Sequence, residues 1–140
     1  FCKIINHEIP NYTVYEDEDV LAYLDISQVT KGHTLVIPKK HVADIFEYDE
    51  ELATKVFAKV PQIARAVKAH DPAIKGMNIL NNNGEFAHQT VFHSHIHLIP
   101  RYEDTSIDGF GLKWETHGED YTPENFTTVA EAIQSELEEA

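Results

Sequence analysis

Histidine recurs at every second position in the segment His93-Ser94-His95-Ile96-His97-Leu98-Ile99, and this alternation limits the fold more than any other feature of the chain. Side chains of an extended strand point alternately to opposite faces, so His93, His95 and His97 are expected on one face, about 7 Å apart at each step. Ser94, Ile96 and Leu98 then fall on the other face, which is apolar enough to rest on a core. With Val91, Phe92 and Ile99 adding β-preferring bulk, a strand is expected from Thr90 to Pro100. Unperturbed imidazole titrates at about pH 6.5. One ring can therefore be a neutral nucleophile while another donates a proton to a phosphate oxygen. The same pattern also suits a solvated strand face, a zinc site built from imidazole nitrogens, or ligand binding without chemistry.

Eleven basic residues face 24 acidic ones, giving a formal net charge of −13. Such a surface repels polyanions, which argues against nucleic acid as a partner, whereas a single mononucleotide is held by local donors. The 140 residues are 42% apolar, enough for one hydrophobic core. One domain over 1–140 is expected, with a core at 1–102 and an extension at 103–140 that carries a helix. No run reaches the ~18 apolar residues of a membrane span, and Phe1-Cys2-Lys3-Ile4 does not resemble a signal peptide. A lone cysteine forms no internal disulfide. The expectation is a soluble, cytoplasmic protein without membrane attachment.

Val14 to Glu16 and Val20 to Leu24 flank the acidic Asp17-Glu18-Asp19 and are expected to form a short hairpin or meander. Thr34 to Ile37, stopped by Pro38, reads as a third strand. Leu52, Val56, Phe57, Val60, Ile63, Ala64 and Val67 recur at spacings of three and four behind Asp49. That spacing predicts one main helix, kinked at Pro61 and ended by Asp71-Pro72. Met77 to Leu80 is expected as a strand and Asn81 to Gly84 as its turn. Thr122-Pro123-Glu124 has the cap, first-turn proline and first-turn acid of a second helix running toward Glu138. Strands in the middle, with helices inserted and appended, favour an antiparallel α+β domain.

A phosphate site needs groups that hold the oxygens. Gln89 and Thr90, just before the histidines, carry an amide and a hydroxyl that can donate to phosphate; they are equally ordinary residues of a strand entry. Asn81-Asn82-Asn83-Gly84 can bring amides to the same place, and for at least two of the asparagines a plain turn role is preferred. Asp25, at the end of an apolar run, can accept both hydroxyls of a ribose or cap a turn.

With these residues in view, the chain resembles the histidine-triad (HIT) nucleotide hydrolases and transferases of bacterial type. Three blocks carry the resemblance, in order: Leu24-Asp25-Ile26-Ser27, then Gly32-His33-Thr34-Leu35-Val36-Ile37-Pro38-Lys39-Lys40-His41, then Gln89-Thr90-Val91-Phe92-His93-Ser94-His95-Ile96-His97-Leu98-Ile99-Pro100-Arg101. Three ordered blocks are far more specific than one short motif. The resemblance implies a five-stranded antiparallel sheet with flanking helices, paired as a homodimer. Its ligand would be a purine nucleotide or an AMP-like conjugate. Within the triad of His93, His95 and His97, it implies His95 as the nucleophile and His97 at the phosphate or bridging atom, with His33 close to the reaction centre. Asp25 matches the ribose-binding acid, with Tyr23, Leu24 and Ile26 as the base and sugar pocket. Asn82 matches a polar loop residue, and Gln89 and Thr90 match the phosphate donors. The chain departs from the pattern at His88, where the family commonly has glycine.

Some bacterial members hold zinc with a Cys-x-x-Cys pair and two histidines. By that resemblance Cys2 is the second cysteine and His41 and His93 are the histidines, the first cysteine falling before Phe1. Such a closed site would be structural, and catalysis would require no cofactor. The expected activity is cleavage of nucleotide conjugates at the α-phosphate through a nucleotidyl-His95 intermediate. Phosphoramidates, dinucleoside polyphosphates and adenylated small molecules all share that phosphate. Two rivals stay open: a metal-dependent hydrolase with His93, His95 and His97 as ligands, and a non-catalytic nucleotide sensor.

Overall fold

Val20-Leu21-Ala22-Tyr23-Leu24 and Thr34-Leu35-Val36-Ile37-Pro38 are almost continuously apolar, and they lie side by side in the middle of the structure, buried on both faces. The structure, a computed structural model, describes residues 1–6 and 8–139, the side chains of 138 and 139 apart. The chain divides into two compact units, Phe1–Phe110 and 111–140.

The first unit holds five strands: β1 (Thr13–Glu16), β2 (Val20–Leu24), β3 (Thr34–Pro38), β4 (Gly76–Leu80) and β5 (Ile96–Arg101). They form one sheet in the order β1-β2-β3-β5-β4, with every neighbouring pair antiparallel. The expected α+β architecture, a five-stranded antiparallel sheet with flanking helices, is the one found.

Strand alternation splits the core in two. Val20, Ala22, Val36, Ile96 and Leu98 face Leu52, Val56, Val60, Ile63 and Val67 from two helices, α2 (Glu50–Phe57) and α3 (Val60–Ala69). Leu21, Tyr23, Leu35 and Ile37 face the other way and are covered by Phe1, Ile4 and Ile5 from α1 (Cys2–Ile5) and its cap.

The single kinked helix expected behind Asp49 is two helices. Asp49 caps α2 by accepting the Leu52 N–H at 2.8 Å. Pro61 then sits in the first turn of α3, where its missing N–H is harmless. Carried further back, the helix would drive the proline ring against the carbonyl four residues earlier, which is Phe57, the last residue of α2.

The strand expected from Thr90 begins only at Ile96. β3 pairs with β5 no further than Val36↔Ile96. Pro38 has no N–H to continue the ladder, and the Ser94 N–H instead donates to the Val42 carbonyl at 2.7 Å.

In the second unit α4 (Pro123–Glu139) is closed at its start by a reciprocal pair. The Asn125 N–H donates to Thr122 Oγ1 at 3.1 Å, and the Thr122 N–H to Asn125 Oδ1 at 3.0 Å. No described helix is long and apolar enough to cross a membrane.

Candidate active site

His97 lies on β5 opposite Leu35, which in turn lies opposite Tyr23 on β2. This row runs across the sheet face that α1 covers, and the other candidate groups gather at its ends. His33 immediately precedes β3. Its loop is cinched by Gln28, whose Nε2 donates to the carbonyls of Asp25 and His33 and whose Oε1 accepts the Gly32 N–H at 2.7 Å. Gly32 has φ +92°, a conformation that glycine adopts without strain.

Hydrogen bonds fix the tautomers. The Val29 N–H donates to His33 Nδ1 at 3.3 Å, so the proton of His33 is on Nε2 and is given to His97 Nδ1 at 2.9 Å. His97 therefore carries its own proton on Nε2, as a donor. His95 gives its Nδ1 proton to the His93 carbonyl at 2.8 Å, which leaves a lone pair on Nε2. The rings of His95 and His97 meet edge to face with centroids 5.0 Å apart, and Phe1 packs edge-on against His95 at 5.1 Å.

Burial lowers the pKa of His33 and of His97. Desolvation is the main cause lowering the pKa of His33, against a smaller opposing pull from Asp25, whose Oδ2 is 3.8 Å from His33 Nε2. Desolvation, helped by His95 and His33, lowers His97 to about 4.

His93 departs from the expected arrangement. The three rings were expected on one face as a catalytic set, but residues before Ile96 are not strand. The His93 ring is buried and turned away, its Nε2 donating to the Pro38 carbonyl at 2.8 Å. Its contact with His95 is made through its carbonyl oxygen. Its Nδ1 is 3.1 Å from His41 Nδ1, and Cys2, His41 and His93 bring ligand atoms within 4.8 Å of one another.

Zinc fits this trio. A soft thiolate and two imidazoles are its preferred donors, nitrogens of a tetrahedral site are about 3.3 Å apart, and the Pro38 carbonyl frees His93 Nδ1 for a metal. His93, His95 and His97 do not form one ligand set among the described residues. The other such group is Asp25, His33 and His97.

Tyr23, Leu24, Asp25 and Ile26 line one cavity of about 200 Å³, together with Phe1, Ile4 and Leu35. Tyr23 is buried, and Ile26 stands at the rim, 86% exposed. Phe1 and Ile4 were not anticipated; their spacing of three, with Ile5 next, was the available signal.

Gln89 is a correction. Expected as a phosphate donor, it is 2% exposed and fully engaged. Nε2 donates to the carbonyls of Ala43 (2.6 Å) and Val91 (3.0 Å), while Oε1 accepts the Gly84 N–H at 2.7 Å. Both amide hydrogens are used, so none is left for phosphate. Thr90 is exposed, with no partner for its hydroxyl among the described residues. Asn81 donates to the His95 carbonyl at 2.9 Å, and Asn83 accepts the Ile45 N–H at 2.7 Å. Two of the three asparagines thus brace the loops, and Asn82 keeps its amide uncommitted among the described residues. His88 has φ 69°, the left-handed region that glycine adopts without strain.

Comparison with known proteins agrees with this geometry. The HIT domain profile matches residues 6–104. The chain is 56% identical to "Protein hit" of Bacillus subtilis over 98% of this chain and 92% of that one. It is 36% identical to adenosine 5'-monophosphoramidase hnt1 of Schizosaccharomyces pombe, covering 98% and 96%. Among solved structures, a HIT family member from Bacillus subtilis superposes with a TM-score of 0.92 at 55% identity, covering 96% and 94%. A zinc-bound histidine triad family protein from Mycobacterium smegmatis superposes with a TM-score of 0.71 at 38% identity, covering 86% and 84%. The chain belongs to the HIT domain family.

Proposed function

We propose that this protein hydrolyses nucleotide conjugates at the α-phosphorus, with His95 Nε2 as the nucleophile. The observation that carries the reading is the 2.8 Å bond from His95 Nδ1 to the His93 carbonyl, which commits the ring's only proton and leaves Nε2 with a lone pair. In the first step that lone pair bonds to phosphorus. The bond to the leaving group breaks with its electron pair, and the leaving group takes a proton from solvent. In the second step a water oxygen bonds to phosphorus and loses a proton, and the P–Nε2 bond breaks back onto the imidazole. Two displacements retain configuration at phosphorus.

His97 Nε2–H donates to a phosphate oxygen or the bridging atom, and His33 keeps that proton on the correct nitrogen through the 2.9 Å bond. Asp25 accepts the ribose hydroxyls, Tyr23, Leu24 and Ile26 enclose base and sugar, and Asn82 and Thr90 supply further donors. Cys2, His41 and His93 would hold zinc, which braces the start of the chain beside the pocket and supplies no catalytic chemistry. The relative named as an adenosine 5'-monophosphoramidase supports AMP conjugates as substrates, phosphoramidates first. A homodimer is part of the reading, supported by the edge strand β4 with Ile79 exposed, and the cytoplasm is the compartment proposed for it.

His95→Ala tests it: nucleotide binding is retained and turnover of adenosine phosphoramidates, dinucleoside polyphosphates and acyl adenylates is lost. Turnover at the level of the unmodified protein would exclude the mechanism. The metal-dependent alternative draws no support from the geometry, because each ring of the triad has a different partner.

A further inference from the structure

A trans peptide is a rigid plate whose C=O and N–H point in opposite directions. The plate between His93 and Ser94 is gripped on both sides. Its C=O accepts the Nδ1 proton of His95 at 2.8 Å, and its N–H donates to the Val42 carbonyl at 2.7 Å. Turning the plate breaks both bonds together. The bond to Val42 also polarises the His93 carbonyl and strengthens it as an acceptor.

The ladder between β3 and β5 ends at Ile96, so pairing with β3 does not fix this plate. Its two hinges are the α-carbons of His93 and Ser94, and side chains pin both. His93 is pinned by its Nε2–H, which donates to the Pro38 carbonyl at 2.8 Å. Ser94 is pinned by its hydroxyl, 3.0 Å from the hydroxyl of Tyr48. Tyr48 in turn packs on the core that faces α2 and α3, with its ring centroid 5.6 Å from that of Phe57. Ser94 is 1% exposed. Replacing both partners of such a pair by apolar groups of the same shape is close to neutral for a fold, so stability alone does not account for two hydroxyls here.

We propose that the Tyr48–Ser94 hydroxyl pair positions the nucleophile: by fixing the hinge at Ser94 it aims the His93 carbonyl at His95 Nδ1 and keeps the lone pair on Nε2. Both are positioning residues, acting on the reaction through the His93 carbonyl. This role rests on the nucleotide-conjugate reading above, in which His95 Nε2 attacks phosphorus. Its effect falls on the chemical step, with nucleotide binding nearly constant.

The test is a double-substitution cycle of the unmodified protein, Tyr48→Phe, Ser94→Ala and the double variant. Three quantities are read in each: the single-turnover rate of nucleotidyl-His95 formation from an adenosine phosphoramidate, AMP affinity by calorimetry, and the His95 tautomer by NMR of its imidazole nitrogens. Each single variant should form the adduct roughly 3- to 10-fold more slowly than the unmodified protein, with AMP affinity unchanged. Each should also show a population of His95 protonated on Nε2. The double variant should be no slower than the slower single one, because both substitutions break the same bond.

Unchanged rates with a lowered urea midpoint would overturn the proposal and leave the pair a structural contact. So would losses that multiply in the double variant, or a His95 ring protonated only on Nδ1 in every variant. An unmodified protein that forms no adduct overturns the functional reading instead, and the tautomer comparison still decides whether the pair aims the ring.

Discussion

Replacing Gln89 with methionine keeps the volume and removes all three side-chain hydrogen bonds. The carbonyls of Ala43 and Val91 and the N–H of Gly84 lose their partner in a site where Gln89 is 2% exposed. At about 1 kcal/mol net for each bond, the loss is about 3 kcal/mol, more if water cannot reach the orphaned groups. A domain of this size is stable by about 5–15 kcal/mol, so the variant still folds, with Tm lowered by roughly 10 °C. Urea unfolding and kcat/KM on an adenosine phosphoramidate, both at a temperature where the variant is folded, separate the two roles. The hydrogen bonds require a clear drop in urea midpoint with kcat reduced by less than about 10-fold. An unchanged midpoint with kcat down by about 100-fold or more, as for loss of an oxyanion donor, would refute the structural role and restore Gln89 as a phosphate donor.

Two further perturbations follow from local geometry. Burial lowers the pKa of His33, His93 and His97, the last to about 4, below the value of about 6.5 in unfolded chains. The unfolded state therefore takes up protons that the folded state refuses. Stability from these rings is complete above about pH 6.5 and is lost as pH falls toward about 4. His97 contributes at most about 3 kcal/mol, reduced by screening because its ring is half-buried. Urea midpoints should fall between about pH 7 and about pH 5, and a flat or rising midpoint would contradict the burial argument. At His88, φ 69° strains a branched residue, so His88→Val should destabilise by about 1–2 kcal/mol, whereas His88→Gly stays within about 1 kcal/mol of the original. Equal urea midpoints for Val and Gly would show that the left-handed turn is absent.

What the sequence revealed follows from the range of the forces involved. The strands of Val20 to Leu24 and Thr34 to Pro38 were legible because burial on both faces demands continuous apolar residues. Asp49 was legible as a cap because capping is local. Pro61 was read as a kink because the pattern on either side has one phase; only its clash with the Phe57 carbonyl decides for a break. The histidine alternation overstated the strand, since nothing within residues 90–95 announces that the ladder to β3 ends at Val36, two residues before Pro38 and far away in sequence. For the same reason Gln89 looked available: its partners Ala43 and Gly84 are brought to it only by the fold. The opposing assignments of His93 and His95 rest on backbone carbonyls, which no residue pattern displays.

The most direct measurement is rapid acid-free quenching of the protein with an adenosine phosphoramidate, followed by peptide mass mapping of the modified residue. A nucleotidyl group should reside on His95, formed and discharged at rates consistent with turnover. An adduct on any other side chain, or steady hydrolysis with no adduct at any time, would contradict nucleophilic catalysis by this ring.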